Sequence, residues 1–239
     1  MDKKNNSPLE YALMACETVM AEFEAPELPP PGRFHYRAGV FLAGMERCFL
    51  KTGREAYNQY IKRWVDSIVN LDGSICDFIA FDGKLTPHRR GMLDDLQPAV
   101  LLFRLFEETE CKQYKAVIER FCGYIKNWPV NPLGGFWHMD NKENQMWLDG
   151  LYMAGPLMTR YGAKYNDIEC FELMLRQASL MRKYMLDEKT GLYYHAWDCT
   201  KKADWADPVS GCSPEFWGRA IGWFAAAVLD MLDFIPEQV

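Results

Sequence analysis

The stretch SPLEYALMACETVMAEF, residues 7–23, has the pattern of an amphipathic helix. Ser7 and Glu10 are spaced as a capping box, and Pro8 occupies the first turn, where proline is tolerated. Apolar residues follow at helical spacings of three and four, namely Leu9, Leu13, Cys16, Met20 and Phe23. Because the same spacing recurs along most of the chain, the sequence predicts a protein built from helices.

About eight helices are predicted in all. After the first, the apolar spacing and the Gly and Pro breaks place them at about 41–52, 57–68, 94–106, 118–125, 145–161, 167–186 and 213–234. The segment 74–81 between two Asp-Gly pairs is expected to be a hairpin or an irregular loop. No convincing strand ladder is predicted, so the fold class is all-α. Alternating tight turns and long loops suit a toroid or a repeat array, and the lack of a fixed sequence period favours the toroid.

Composition limits the classes of function. The chain has 239 residues, 49% of them hydrophobic, and a formal charge of −6, so neither nucleic acid nor an anionic membrane is an expected partner. Neither a leader-like N-terminus nor an apolar run long enough to span a membrane is evident, which predicts a cytoplasmic protein. The eight cysteines lack a CxxC pair, and most of them are expected to be reduced core thiols.

The segment around Asp149 is the densest candidate site. On a predicted helix, Met146, Asp149 and Met153 share one apolar face. Burial there would raise the pKa of the Asp149 carboxyl and suit it to act as a general acid near neutral pH. The alternative is a helix cap, because Asp is common at helix starts.

A second candidate site is carried by the segment FWGRAIGW, residues 216–223. Arg219 and Trp223 are four residues apart and share a helix face, beside Gly218 and Gly222. Arginine can pair with a carboxylate through two N–H groups, and tryptophan can stack on a sugar ring. Ordinary helix packing with a structural cation–π pair explains the same residues equally well.

Two histidines and two aspartates are the remaining candidate site residues. His195 lies among aromatic residues on a predicted loop and could bind a ligand hydroxyl, as could His138, although a lone histidine is more often simply packed. Asp94 and Asp95 could be helix-capping residues. If their helix start faced that of Asp149, one of them could hold or activate a water opposite Asp149.

Metal and cofactor sites are not expected. The four histidines, at 35, 88, 138 and 195, are dispersed and form neither an HExxH motif nor a cluster with cysteines. A phosphate loop, a dinucleotide motif and a nucleophile elbow are likewise absent from the sequence.

Together these motifs resemble glycoside hydrolase family 105, the unsaturated rhamnogalacturonyl hydrolases, and more distantly the unsaturated glucuronyl hydrolases. The resemblance runs from about residue 36 to the C-terminus. Its most specific segments are residues 145–154 and 216–223, supported by residues 137–138 and 195–198. It implies an (α/α)6 barrel and a pocket for the 4,5-unsaturated uronic acid at the non-reducing end of an oligosaccharide.

The resemblance also implies a reaction and roles for residues. Asp149 would protonate C4 of the double bond while water adds at C5, giving a hemiketal that opens and releases the adjoining sugar. Asp94 would be the second catalytic carboxylate, and Asp95 is the alternative for this role. Arg219 and Trp223 would contact the uronate. The rest of the pocket wall would be formed by His138, Met153, His195 and Trp217.

The sequence departs from the family in its length. Only about four of six helical hairpins are counted in a predicted single domain, 1–239, so the chain is expected to lack the C-terminal part of the barrel. It would then be a fragment or would self-associate through exposed helix faces. A non-catalytic sugar-binding or scaffold protein remains an alternative, as does a sugar epimerase using His138 and His195. The resemblance favours rhamnose as the leaving sugar, with another uronic acid or an amino sugar still open.

Overall fold

A computed structural model describes residues 6–79, 85–87 and 91–238, without the side chains of 76–79 and 85–87. Its internal contacts separate two compact units. One comprises residues up to 89 together with 98–118, and the other comprises 90–97 and 119–239. The predicted single domain stays a prediction.

The first unit is helical. Its helices are α1 (Pro8–Glu22), α2 (Tyr36–Thr52), α3 (Glu55–Asp66) and α4 (Leu102–Thr109). It also contains the antiparallel pair of β1 (Cys76–Ile79) with β2 (Leu85–Pro87). A fifth helix, α5 (Lys112–Lys126), begins in this unit. The predicted capping box is confirmed, since Ser7 and Glu10 each accept a hydrogen bond from the other's backbone N–H. The predicted helix is confirmed: Cys16 is buried, Leu13, Met20 and Phe23 are half-buried, and Leu9 is 41% exposed.

The second unit is built around α6 (Gly150–Tyr165), which packs against α7 (Ile168–Met185) and α8 (Gly218–Leu232). A short antiparallel pair of β3 (Gln145–Trp147) and β4 (Ala196–Asp198) lies in the same unit. Gly155 lets α8 approach α6 closely, because a Cβ at this position would lie 2.5 Å from Sδ of Met231.

Three of the predicted element boundaries are wrong. Residues 145–147 form a strand instead of a helix, because their backbone pairs with β4. The last helix begins at Gly218 and not at Ser213, whose N–H donates to the Ala196 carbonyl in an extended segment. Residues 93–101 form two short 3-10 turns, Leu93–Asp95 and Gln97–Leu101, before α4.

The all-α class is confirmed, and eight α-helices lie in the part of the chain that the structure describes. Within the described residues, strand pairing is confined to two short antiparallel pairs, of which β1 lies in the segment 74–81 predicted as a hairpin or loop, and the pair of β3 with β4 was not predicted. Among the helices of the described residues, none is both long and apolar enough to cross a bilayer.

Candidate active site

The strand pair in the second unit places Asp149 beside His195. Trp147 of β3 pairs with Ala196 of β4, and the N–H of Leu148 donates to the carbonyl of His195 over 2.8 Å. Asp149 thus follows the end of one strand and His195 precedes the start of the other. Nε2 of His195 lies 3.1 Å from Oδ2 of Asp149.

A second carboxylate and imidazole meet nearby in the same way. The N–H of His138 donates to the carbonyl of Gln145, and the His138 carbonyl accepts from the N–H of Leu93. These bonds bring the 3-10 turn with Asp94 to His138, whose Nε2 lies 3.2 Å from Oδ1 of Asp94. Asp95 is buried as well, but it is Asp94 that meets His138.

Trp147 joins the two carboxylate–imidazole pairs, Asp94 with His138 and Asp149 with His195. Its ring stacks on His138 with centroids 4.7 Å apart and planes 6° from parallel. The ring of His195 is tilted against it at 5.4 Å. Trp147 was not among the predicted site residues, because the helix predicted for residues 145–161 concealed the strand alternation that buries Met146 and turns Trp147 to the opposite face.

The Asp149 carboxyl is buried, with 7% of the residue exposed, as the sequence predicted. The prediction that its pKa is raised is wrong. Burial acts to raise the pKa, but the hydrogen bond and charge of His195 and the charge of His138 lower it further, so the pKa lies below the ordinary 3.8. Asp149 sits at the N-cap position of α6, yet its side chain makes no cap hydrogen bond.

Trp217 and Arg219 extend the site from His195. Trp217 precedes α8 and is 45% exposed, with its ring 6.2 Å from that of His195. The guanidinium of Arg219 lies over the Trp217 ring at 5.2 Å. The alternative of a structural cation–π pair between Arg219 and Trp223 is wrong, because Arg219 lies over Trp217 and the Trp223 ring stacks on Tyr152 at 4.9 Å.

The remaining predicted pocket residue, Met153, is buried within α6 at 1% exposure. It belongs to the same helix as Tyr152, one turn after Asp149. Its contact with substrate stays a prediction. Across the described residues, no three His, Cys, Asp or Glu side chains are grouped as they would be around a metal ion.

Gln177 of α7 holds the loop that carries His138. Its Oε1 accepts from the N–H of Phe136 and its Nε2 donates to the carbonyl of Gly134, both over 2.9 Å, and the residue is 1% exposed. Gln177 was not among the predicted site residues. The signal was a polar residue at helical spacing between Met174 and Met181, which are buried.

Replacing Gln177 with Met is expected to lower the free energy of unfolding by about 1–3 kcal/mol, since a buried N–H and a carbonyl lose their partners. Gln177→Glu keeps the acceptor for Phe136 and is expected to lose less at acid pH, where it can also donate. Urea unfolding measures both effects. Equal stability of wild type and Gln177→Met would contradict the anchoring role.

Comparison with known proteins gives a consistent picture. The profile of Glycosyl Hydrolase Family 88 matches residues 11–239. Protein Atu3128 of Agrobacterium fabrum is 39% identical over 86 residues, which cover 36% of each chain. The unsaturated rhamnogalacturonyl hydrolase YesR of Bacillus subtilis is 32% identical over 205 residues, which cover 82% of this chain and 53% of YesR.

A solved glycoside hydrolase of family 105 from C. acetobutylicum has a TM-score of 0.84 and 29% identity, covering 95% of this chain and 60% of that one. This similarity confirms the predicted (α/α)6 toroid class, while the predicted number of hairpins stays a prediction. The chain spans less than two thirds of the length of each of these relatives. Because the family profile covers nearly the whole chain, this protein belongs to Glycosyl Hydrolase Family 88.

Proposed function

We propose that this chain carries the active site of a hydrolase that removes a 4,5-unsaturated galacturonyl residue from the non-reducing end of rhamnogalacturonan oligosaccharides. The observation that carries the proposal is the pair of buried carboxylates, Asp94 and Asp149, each within 3.2 Å of an imidazole. Two such groups can supply and remove protons on either side of a double bond.

In the proposed reaction, the proton shared by Asp149 and His195 is transferred to C4 of the sugar. The C4=C5 electron pair forms the new C–H bond, and the oxygen of a water forms a bond with C5. Asp94 and His138 orient this water and take up the proton that it loses. The resulting hemiketal opens, and the bond to the adjoining sugar breaks without attack at the anomeric carbon.

The state of Asp149 fits this sequence of proton transfers. Its lowered pKa favours the carboxylate, which fits a transferable proton placed between Oδ2 of Asp149 and Nε2 of His195, 3.1 Å apart. The hydrogen-bond direction between the two is not fully aligned, since Oδ2 of Asp149 accepts no well-directed hydrogen bond. Catalytic hydrogen bonds often become aligned only when substrate is bound.

The uronate is proposed to bind beside these pairs. Arg219 supplies a planar guanidinium for the substrate carboxylate, and the exposed ring of Trp217 below it supplies a stacking surface. His138, Met153, His195 and Trp223 would complete the wall of this subsite.

Family membership and the similarity to YesR favour hydrolysis over the two alternatives, a sugar epimerase and a non-catalytic sugar-binding protein. A cytoplasmic location and self-association stay predictions, as does rhamnose as the leaving sugar.

The test is turnover in D2O of unsaturated galacturonyl-rhamnose and of its saturated counterpart, followed by ultraviolet absorbance and mass spectrometry. We expect loss of the enol chromophore, one deuterium at C4 of the product, and no reaction of the saturated disaccharide, because hydration needs the double bond. Cleavage of both disaccharides would point to attack at the anomeric carbon, and binding without cleavage of either would favour a sugar-binding protein.

A further inference from the structure

Gly150 is the first residue of α6 and directly follows Asp149. It is buried, and its φ is not positive, so an alanine could adopt the same backbone conformation. A glycine in a helix lowers stability relative to alanine, because its backbone loses more conformational freedom on folding. The backbone of α6 therefore gives no reason for a glycine at this position, and the reason lies in the space around it.

The space beside Gly150 is bordered by the turn that carries Asp94 and by the ring of His138. A Cβ on Gly150 would lie 3.0 Å from Cδ1 of Leu93 and 3.5 Å from Nδ1 of His138. The first distance is shorter than the optimal separation of two carbon atoms, about 3.5–4.0 Å. Leu93 is 1% exposed and immediately precedes Asp94 in the same 3-10 turn. A side chain at position 150 would therefore press on the residue next to Asp94.

The position of Leu93 is linked to both members of this carboxylate–imidazole pair. Its N–H donates to the carbonyl of His138 over 3.1 Å, and Nε2 of His138 lies 3.2 Å from Oδ1 of Asp94. Leu93, His138 and Gly150 also border one cavity with about 240 Å³ of free space. Because this cavity gives Leu93 room to move, a methyl group on Gly150 is expected to shift the turn without disrupting the fold.

The placement of Asp94 and His138 relative to Asp149 matters for the proposed reaction. The proton adds at C4 and the water at C5, which are neighbouring atoms of one ring, so the groups that deliver them must be aligned together. A misplacement of about 1 Å can cost about 100-fold in rate. Gly150 is bonded to Asp149 and borders the other pair, so it lies where their separation is set.

We propose that Gly150 is a positioning residue: the absence of its side chain sets how closely Asp94 and His138 approach Asp149. The inference rests on the proposed function, because it takes protonation at C4 and addition of water at C5 as the reaction. It goes beyond that function by giving a role in the rate to a residue that has no reacting group of its own.

The test is Gly150→Ala, assayed on unsaturated galacturonyl-rhamnose. We expect kcat to fall about tenfold. KM is expected to change by less than about twofold, because Trp217 and Arg219, the proposed sugar contacts, lie at the start of α8. The urea midpoint is expected to stay at or above that of wild type, since alanine favours a helix over glycine. The matched control is Gly123→Ala in α5, where a Cβ has open space, and it should retain wild-type kcat and KM.

A second substitution tests the contact with Leu93. Leu93→Val removes the Cδ1 atom that the new Cβ would meet, so Gly150→Ala is expected to lower kcat less than about threefold when it is added to Leu93→Val. Equal losses of kcat with Leu93 and with Val at this position would overturn the inference, because the contact would then have no effect on the rate.

The remaining outcomes separate this inference from the proposed function. Wild-type kcat in Gly150→Ala would overturn the positioning role while the hydrolase stands. A wild-type chain that leaves unsaturated galacturonyl-rhamnose intact would instead contradict the proposed function, and the positioning role would fall with it.

Discussion

Replacing Asp149 with Asn is expected to lower kcat on unsaturated galacturonyl-rhamnose by about 10²–10⁴-fold, the usual contribution of a positioned acid or base. The amide keeps the shape of the side chain but cannot share a proton with Nε2 of His195, 3.1 Å away. Since the sugar-binding surfaces of Trp217 and Arg219 are untouched, KM is expected to change little.

The matched control is Asp233→Asn, which removes an exposed carboxylate at the end of α8. It should retain wild-type kcat and stability. A residual kcat within a few fold of wild type in Asp149→Asn would show that the proton comes from another group, and Asp94 and His138 would then be the next candidates.

The same substitution has a second readout in stability. Because the folded-state pKa of Asp149 lies below its ordinary 3.8, the carboxylate adds stability that is complete above that value and is lost as pH falls through the lowered pKa. An asparagine at this position makes no such pH-dependent contribution to stability. The stabilising difference in urea midpoint between the two proteins should thus be lost in acid, as the pH falls below 3.8 and through the lowered pKa.

Replacing Gly211 with Ala is expected to be the most damaging change outside the catalytic pairs. Gly211 has φ +80°, which costs an alanine about 1–2 kcal/mol, and a Cβ there would collide with the carbonyl oxygen of Asp198 and approach the Trp197 ring. Overpacking adds about 1–3 kcal/mol. We expect a loss of about 3 kcal/mol in the free energy of unfolding, measured by urea denaturation.

Gly191→Ala separates the two contributions. Gly191 has φ +72° but open space around its would-be Cβ, so only the backbone strain applies, about 1–2 kcal/mol. If both variants lost the same stability, the collision at Gly211 would be relieved by movement of the loop. The backbone around Asp198 would then be less rigid than its hydrogen bonds indicate.

The helices of the fold could be predicted because their signals are local. The capping box at Ser7 and the left-handed glycine Gly53, which ends α2, are both determined by residues close together in the sequence. The same reasoning failed for residues 145–147, whose apolar spacing fits a helix but whose backbone pairs with a strand about 50 residues later. Pairing over such a separation leaves no local pattern.

The residues of the candidate site could largely be predicted from the sequence, but their arrangement could not. Asp149, His138 and His195 were identified as candidates, yet the sequence could not show that each histidine would meet a carboxylate about 45 residues away. The expected direction of the Asp149 pKa was wrong for the same reason. Burial can be inferred from apolar neighbours, but the opposing effect of an imidazole depends on tertiary contacts.

The pairing of β3 with β4 divides the chain into parts that tolerate change differently. A slip of one residue in this pairing would turn Met146 toward the imidazoles and Trp147 away from them, so the spacing between Trp147 and Asp149 is fixed by the pairing. The segment after β4, residues 199–210, leaves that spacing untouched when its length or sequence changes. Changes of length or sequence in this segment are therefore expected to leave the proton-transfer geometry of Asp149 and His195 unchanged.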